Sequence, residues 1–311
     1  MELGINAGAG LETDLRTARA EASRRAVTDH ILVLADQAGY GAALIDAVAP
    51  GASEASVITW PQFARMIRTA ADGLSRRGLR QDDTAGVLVH DAVSHVIAVH
   101  SIRAAGASAT PVHAAQTTAE IAVQLKQCRA RLLVTSAELA DLAVEAAERS
   151  LVRQVFAFGE AEGTTPFGSL LHSARHSQLH PNGSPGPVHH GRAGRDGSPG
   201  HNGRPGRDTH EGRVDGDDEV TAQTLDLDGL GLDGTNLRLT SRDVVVAAPP
   251  CGDPDVYTSL LDLALAAGAA IVAAPLAQVP AAVGAYKGTA AVVPSGTDVP
   301  GLPAGRVFAA G

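Results

Sequence analysis

From residue 83 to residue 136, apolar positions alternate between short runs and helical spacing. Residues 85–90, 108–112 and 131–135 are strand-like runs; residues 92–105 and 117–130 repeat their apolar side chains with a helical period. This alternation predicts an α/β fold, parallel sheets covered by helices, with any ligand expected at the carboxyl edge of the strands. Thr117 with Glu120 predicts a capping box on the second helix. Ser136 is the expected cap of a further helix carrying Leu139, Leu142 and Ala146, followed by a strand over 152–159. The reading gives four parallel strands between 85 and 159.

Upstream the pattern is weaker. Residues 1–27 read as a polar, alanine-rich lead-in, with Leu11, Leu15, Ala18 and Ala22 on one helical face. Thr28-Asp29 is expected to cap a short helix ending near Gly39. Residues 42–45 and 56–59 form an expected hairpin, leading into the sheet through the Pro50-Gly51 turn. Trp60-Pro61 opens a helix whose buried stripe is Phe63, Ile67, Ala70 and Leu74, and Gly78 ends it.

Beyond His172 the periodicity stops. Residues 181–216 are Gly, Pro, His, Arg and Asp with almost no apolar side chain, and glycine recurs every third position from Gly191 to Gly206. Six such triplets are too few for a collagen helix, so the composition predicts a disordered insert over 172–236, cut first by proteases between Pro181 and Gly216. Strand and helix patterns resume over 243–248, 257–267, 270–274, 279–285 and 290–293. The expected organisation is a lead-in (1–27), a first α/β subdomain (28–171), the insert (172–236) and an incomplete second β/α subdomain (237–311). That last unit is expected to leave apolar surface uncovered around residues 260–293.

Composition narrows the function classes. The formal charge of −9 is spread along the chain without a basic stripe, which argues against nucleic-acid binding. No signal-peptide pattern opens the chain, and the most apolar window, 263–277, is too short to span a membrane and is broken by Pro275. Cys128 and Cys251 lie far apart, and a reduced, cytoplasmic location is expected.

Five constellations carry possible chemistry. His172, His176 and His180 share helical spacing, but Pro181 follows at once, and adventitious nickel or zinc retention is the better reading than a metal site. Asp226, Asp228 and Asp233 hint at a calcium loop, yet Leu230 and Leu237 stand where oxygen ligands belong. Cys251 follows a strand without a base fixed nearby, and Ser295-Gly-Thr297 is too short to cradle a phosphate. Gly8-Ala-Gly10 has no strand before it and is no dinucleotide fingerprint. Hence no catalytic residue and no metal ligand is assigned, and the cofactor-binding residues are left unassigned.

Several spaced motifs together resemble the N-terminal part of the acyl-adenylate-forming family, the AMP-binding, acyl-CoA synthetase-like enzymes. They are Thr59-Trp-Pro-Gln-Phe63, Gly73-Leu-Ser-Arg-Arg-Gly-Leu79, Asp83-Thr-Ala-Gly-Val-Leu88, Ile102-Arg-Ala-Ala-Gly-Ala107, Thr110-Pro-Val112, Thr117-Thr-Ala-Glu-Ile121 and Ala130-Arg-Leu-Leu-Val-Thr-Ser136. The resemblance covers about 28–170, and more loosely 237–293 through Asp243-Val-Val-Val246 and Leu265-Ala-Ala-Gly-Ala269.

It implies a fold like the large N-terminal domain of acyl-CoA synthetases, here truncated. It also implies activation of an acid with ATP to an acyl-adenylate and transfer to coenzyme A. That chemistry needs a Ser/Thr/Gly-rich loop with a lysine on the ATP phosphates. Lysine occurs only at Lys126 and Lys287, so none lies between the two subdomains. Pro249-Pro-Cys-Gly-Asp253 stands where acyl-CoA synthetases have an aromatic-histidine pair. The expectation is a degenerate, non-catalytic relative that binds or regulates a protein partner. The alternative is a ligase completed by a complementing fragment.

Overall fold

A computed structural model describes residues 6–47, 56–172 and 238–310. The insert expected over 172–236 lies outside them except for His172, as do His176, His180 and the aspartates at 226, 228 and 233.

The chain runs α1 (Asn6–Gln37), β1 (Ala42–Asp46), β2 (Ser56–Thr59), α2 (Trp60–Arg76), β3 (Thr84–Leu88), α3 (Ala92–Ala104), β4 (Ser108–Pro111), α4 (Thr118–Gln127), β5 (Ala130–Ser136), α5 (Ala140–Glu148), β6 (Gln154–Phe158) and β7 (Thr165–Pro166). After residue 238 come β8 (Val244–Ala247), α6 (Pro254–Ala266), β9 (Ala270–Ala273), α7 (Val279–Tyr286), β10 (Ala290–Val293) and β11 (Val307–Ala309).

Two sheets result. The five-stranded sheet, order β4-β3-β5-β6-β7, is parallel throughout and comes from one uninterrupted stretch. The six-stranded sheet, order β11-β10-β8-β9-β1-β2, is parallel except for its edge strand β2. Its β1 pairs with β9, Leu44 opposite Ile271. The hairpin expected to lead into the first sheet therefore closes the second one.

Alternation along each strand sorts the core into layers. Val245, Ala247, Ile271 and Ala273 face a central core shared with Val87, Val89, Leu132 and Val134 of the other sheet. Between the sheets lie the buried faces of α1, α2, α3 and α6. Val246, Val272 and Val293 face outward under α7, and Leu88 and Leu133 face outward under α4 and α5. Apolar runs without alternation follow from this two-sided burial.

Several expectations need correction. No cap forms at Thr28, because α1 is one continuous helix and Thr28 is buried in its middle. The helix α3 buries more than its apolar positions: His95, His100 and Arg103 are buried too, because helices pack on several of its sides. Ser136 makes no capping bond, since its hydroxyl is engaged by His90. Short strands β7 and β11 add an edge to each sheet where only turns and an ending were expected. Most apolar side chains in the 260–293 region, Leu260, Leu261, Leu263 and Val293 among them, are buried rather than uncovered, enclosed by the two cores, while Leu276 is exposed.

The Thr117–Glu120 capping box forms as expected: the Thr117 N–H donates to Glu120 Oε2 at 2.8 Å. That N–H and the Thr117 hydroxyl hold the Glu120 carboxyl below its usual pKa. Phe63, Ile67, Ala70 and Leu74 form the fully buried stripe of α2.

Candidate functional site at the converging strand ends

The carboxyl ends of β1, β3, β5, β6, β8 and β9 meet around a cleft of about 520 Å³. Its polar residues are Asp46, His90, Asp91, Ser94, Ser136 and Glu138; Phe158, Pro249 and Pro275 supply apolar wall. Asp46 and Ser136 end their strands, and His90, Asp91, Ser94 and Glu138 follow within six residues of a strand's end, so the sheet delivers them to the edge. A wider, shallower depression of about 750 Å³ lies between α4 and the β8–α6 loop, lined by His113, Gln116, Glu120 and Pro254 among others. It draws on fewer strand ends and only one carboxylate, so the narrower cleft is the candidate site.

His90 is half-exposed and organises the cleft floor. The buried Ser136 hydroxyl accepts from the His90 backbone N–H at 3.3 Å and shares a hydrogen bond with Nδ1 at 3.1 Å. Glu138 Oε2 lies 3.5 Å and Asp91 Oδ2 3.9 Å from the same Nδ1. A Ser-His-Asp relay needs the hydroxyl on one ring nitrogen and the carboxylate on the other. Here serine and both acids crowd one nitrogen, so the arrangement is no nucleophilic triad. Partial burial raises the Asp46 carboxyl pKa, the Asp91 charge adds to this, and His90 acts against it.

The electrostatics disfavour polyanions. Asp46, Asp91 and Glu138 face the cleft, and among the described residues no Lys or Arg lines it. A helix N-terminus would normally offer free N–H groups to a phosphate. Asp91 already occupies that of α3, accepting from the Ser94 N–H at 2.7 Å. Asp253 does the same on α6, accepting from the N–H groups of Asp255 and Val256. The residues present therefore do not fit an ATP triphosphate. Among the described residues, no group of three or more His, Cys, Asp or Glu is placed to hold a metal ion.

The candidates singled out in the sequence do not gather here. Gly8 and Gly10 lie within α1, and His172 is the sole described member of its histidine trio. Cys251 lies in the loop before α6, where burial pushes its thiol pKa up, opposite to an activated nucleophile. Ser295-Gly-Thr297 lines a separate pocket after β10, where the Thr297 N–H closes a turn on the Pro294 carbonyl and Gly296 takes φ +78°. Asp46, His90, Asp91 and Glu138 escaped the sequence reading. A polar residue closing each apolar run was the available signal.

The family described as AMP-binding enzyme matches residues 35–183. A 4-coumarate–CoA ligase 2 from Solanum tuberosum is 27% identical over 220 residues, covering 70% of this chain and 38% of the ligase. A long-chain-fatty-acid-CoA ligase from Archaeoglobus fulgidus superposes with TM-score 0.58 at 17% identity, over 86% of this chain and 51% of that one. The Mycobacterium smegmatis MbtA apo structure gives 0.59 at 22% identity, over 89% and 51%. The chain thus spans about half the length of these solved structures, and less of the curated relative. Among the described residues no helix is long and apolar enough to cross a membrane. Residues 35–183 thus resemble the AMP-binding enzyme family, and the fold resembles the N-terminal part of the solved acyl-CoA ligases.

Proposed function

We propose that this chain is a non-catalytic member of that family, a binding or regulatory protein that keeps the N-terminal scaffold without the adenylating chemistry. One observation carries the reading: among the described residues, the strand-end cleft presents three carboxylates and one imidazole, with neither lysine nor arginine. Forming an acyl-adenylate concentrates negative charge on phosphoryl oxygens, which need cations or free N–H donors. The N-termini of α3 and α6 are closed by their own aspartates. The two cysteines are free, in keeping with a reducing, cytoplasmic setting.

The test is acid-dependent exchange of pyrophosphate into ATP by the purified chain, with ATP-induced thermal shift alongside. No exchange and no shift is the expected result; robust exchange overturns the reading. A second reading has one observation in its favour, the share of its relatives' length that the chain spans. In it, ATP, coenzyme A and an acid are used only with the remaining ligase portion supplied by a complementing polypeptide. Exchange that appears only on adding such a polypeptide would select it.

A further inference from the structure

We infer that the two buried imidazoles of α3, with Asp262 of α6, form an acid-release latch holding α6, and with it one wall of the cleft, against α3. The inference rests on the fold alone and stands whether or not the cleft takes a nucleotide. His100 is 1% exposed and meets a different element on each side. From α1, the Thr28 hydroxyl lies 2.9 Å from Nδ1; from α2, the Phe63 ring packs edge-on at 6.0 Å. From α6, Asp262 Oδ1 lies 3.4 Å from Nε2, a charge contact too poorly aligned for a hydrogen bond. The other oxygen of Asp262 accepts from Arg103 Nη1 at 2.6 Å. One carboxylate thus already balances one cation.

A proton on His100 would leave a net positive charge in a junction where Arg103, Asp262 and His100 are all under 5% exposed. Water cannot solvate it there. His95, on the same helix, repeats the arrangement. Its Nε2 donates to Thr258 Oγ1 at 2.8 Å, because the Thr258 hydroxyl is committed to the Pro254 carbonyl at 2.7 Å. Its ring packs edge-on to Tyr257 at 5.2 Å, and the Tyr257 hydroxyl donates to the Ala248 carbonyl at 2.7 Å. Ala248 lies between Ala247 and Pro249 of the cleft wall. The charged groups acting on His95 are Asp262, Arg103 and His100. A line of packed groups therefore runs from the imidazoles to the cleft.

Burial, against the pull of Asp262, lowers His95 to about 3 and His100 to about 4. Unfolded imidazoles titrate near 6.5. The sign follows: the released state binds more protons, so the latch holds fully above pH ~6.5 and loosens as pH falls towards ~4. With two protons taken up, the release constant rises by at most about 100-fold per pH unit.

The test uses the full chain. Proton NMR of the 12 histidines should show two imidazoles that stay neutral to about pH 4.5 while the fold persists. Titration of all of them near 6.5 overturns the latch. Cys251, in the loop between β8 and α6 and packed against the central core, reports local release through its reaction with dithiodipyridine, which proceeds in acid; Cys128, beside α4 in the outer core, is the internal control. As pH falls below 6, Cys251 should become reactive ahead of Cys128 and before helical circular dichroism is lost. His100→Gln should cut that lead several-fold. Simultaneous exposure of both thiols with loss of ellipticity, or an unchanged lead in His100→Gln, overturns the proposal. Should His100→Gln not fold, the wild-type NMR titration and the order of thiol exposure decide the matter.

Discussion

The two sheets are built from similar strands but by different routes. The five-stranded sheet comes from residues 84–166 in one pass, its strands joined by local connections, with β4 to β5 passing over β3. The six-stranded sheet needs β1 and β2 from the start of the chain and β8 to β11 from beyond residue 238. Its order depends on contacts that sequence proximity cannot enforce. Specific, non-exchangeable contacts are therefore expected where the two segments join. There the part-buried His30 ring of α1 meets the Ala266 carbonyl of α6 at 3.2 Å, and the buried Arg103–Asp262 pair ties α6 in turn to α3 of the first stretch. Local closure stabilises the first sheet, and a long-range clamp stabilises the second.

Removing that clamp should have the largest effect. Asp262→Ala leaves Arg103 charged and buried, and breaking a buried pair one-sidedly costs about 3–5 kcal/mol. Urea unfolding should show this loss, with hydrogen-exchange protection falling first in β8 and β9. Equal loss across β3 and β5 would mean that the pair is not particular to the segment junction. Next, Leu44→Ala in β1 should cost about 2–5 kcal/mol as a fully buried truncation. Since β1 pairs with β9, exchange should quicken around Ile271 rather than around Val87. The reverse pattern would return the hairpin to the first sheet.

The same contrast explains what the sequence disclosed. Strands β3 to β6 and their helices were legible because apolar period, caps and short connections agree within a few dozen residues. The partner of β1 was not, because Leu44 and Ile271 are brought together only by the tertiary fold. Arg103 and His100 looked like ordinary helix-surface residues for the same reason: Asp262, which pairs with them, lies more than 150 residues away. The cleft was legible as a place, the carboxyl edge, but not as a set of residues. His90 and Ser136 meet through pairing of β3 with β5, and only that register shows both acids crowding one nitrogen.

Changes confined to the first sheet should be smaller and stay local. Gly86 lies in β3, and a Cβ there would come within 2.7 Å of Leu125 and 2.9 Å of Leu133. Both contacts are side-chain ends that can yield, so Gly86→Ala should cost about 1–3 kcal/mol, the usual range for overpacking. Exchange should quicken in β3 and β5 while β8 and β9 keep their protection; spreading into the second sheet would show that the two are coupled through the outer core. Smallest is Thr117→Ala, which removes one half of a capping box on the outer helix α4. A lost cap costs about 0.5–2 kcal/mol, felt within the first turn. Because α4 covers only the outer face of the five-stranded sheet, the loss should fray residues 118–121 and leave the thiol of Cys251 as protected as before. Exposure of Cys251 in Thr117→Ala would mean that even the local closures of the first sheet support the long-range clamp of the second.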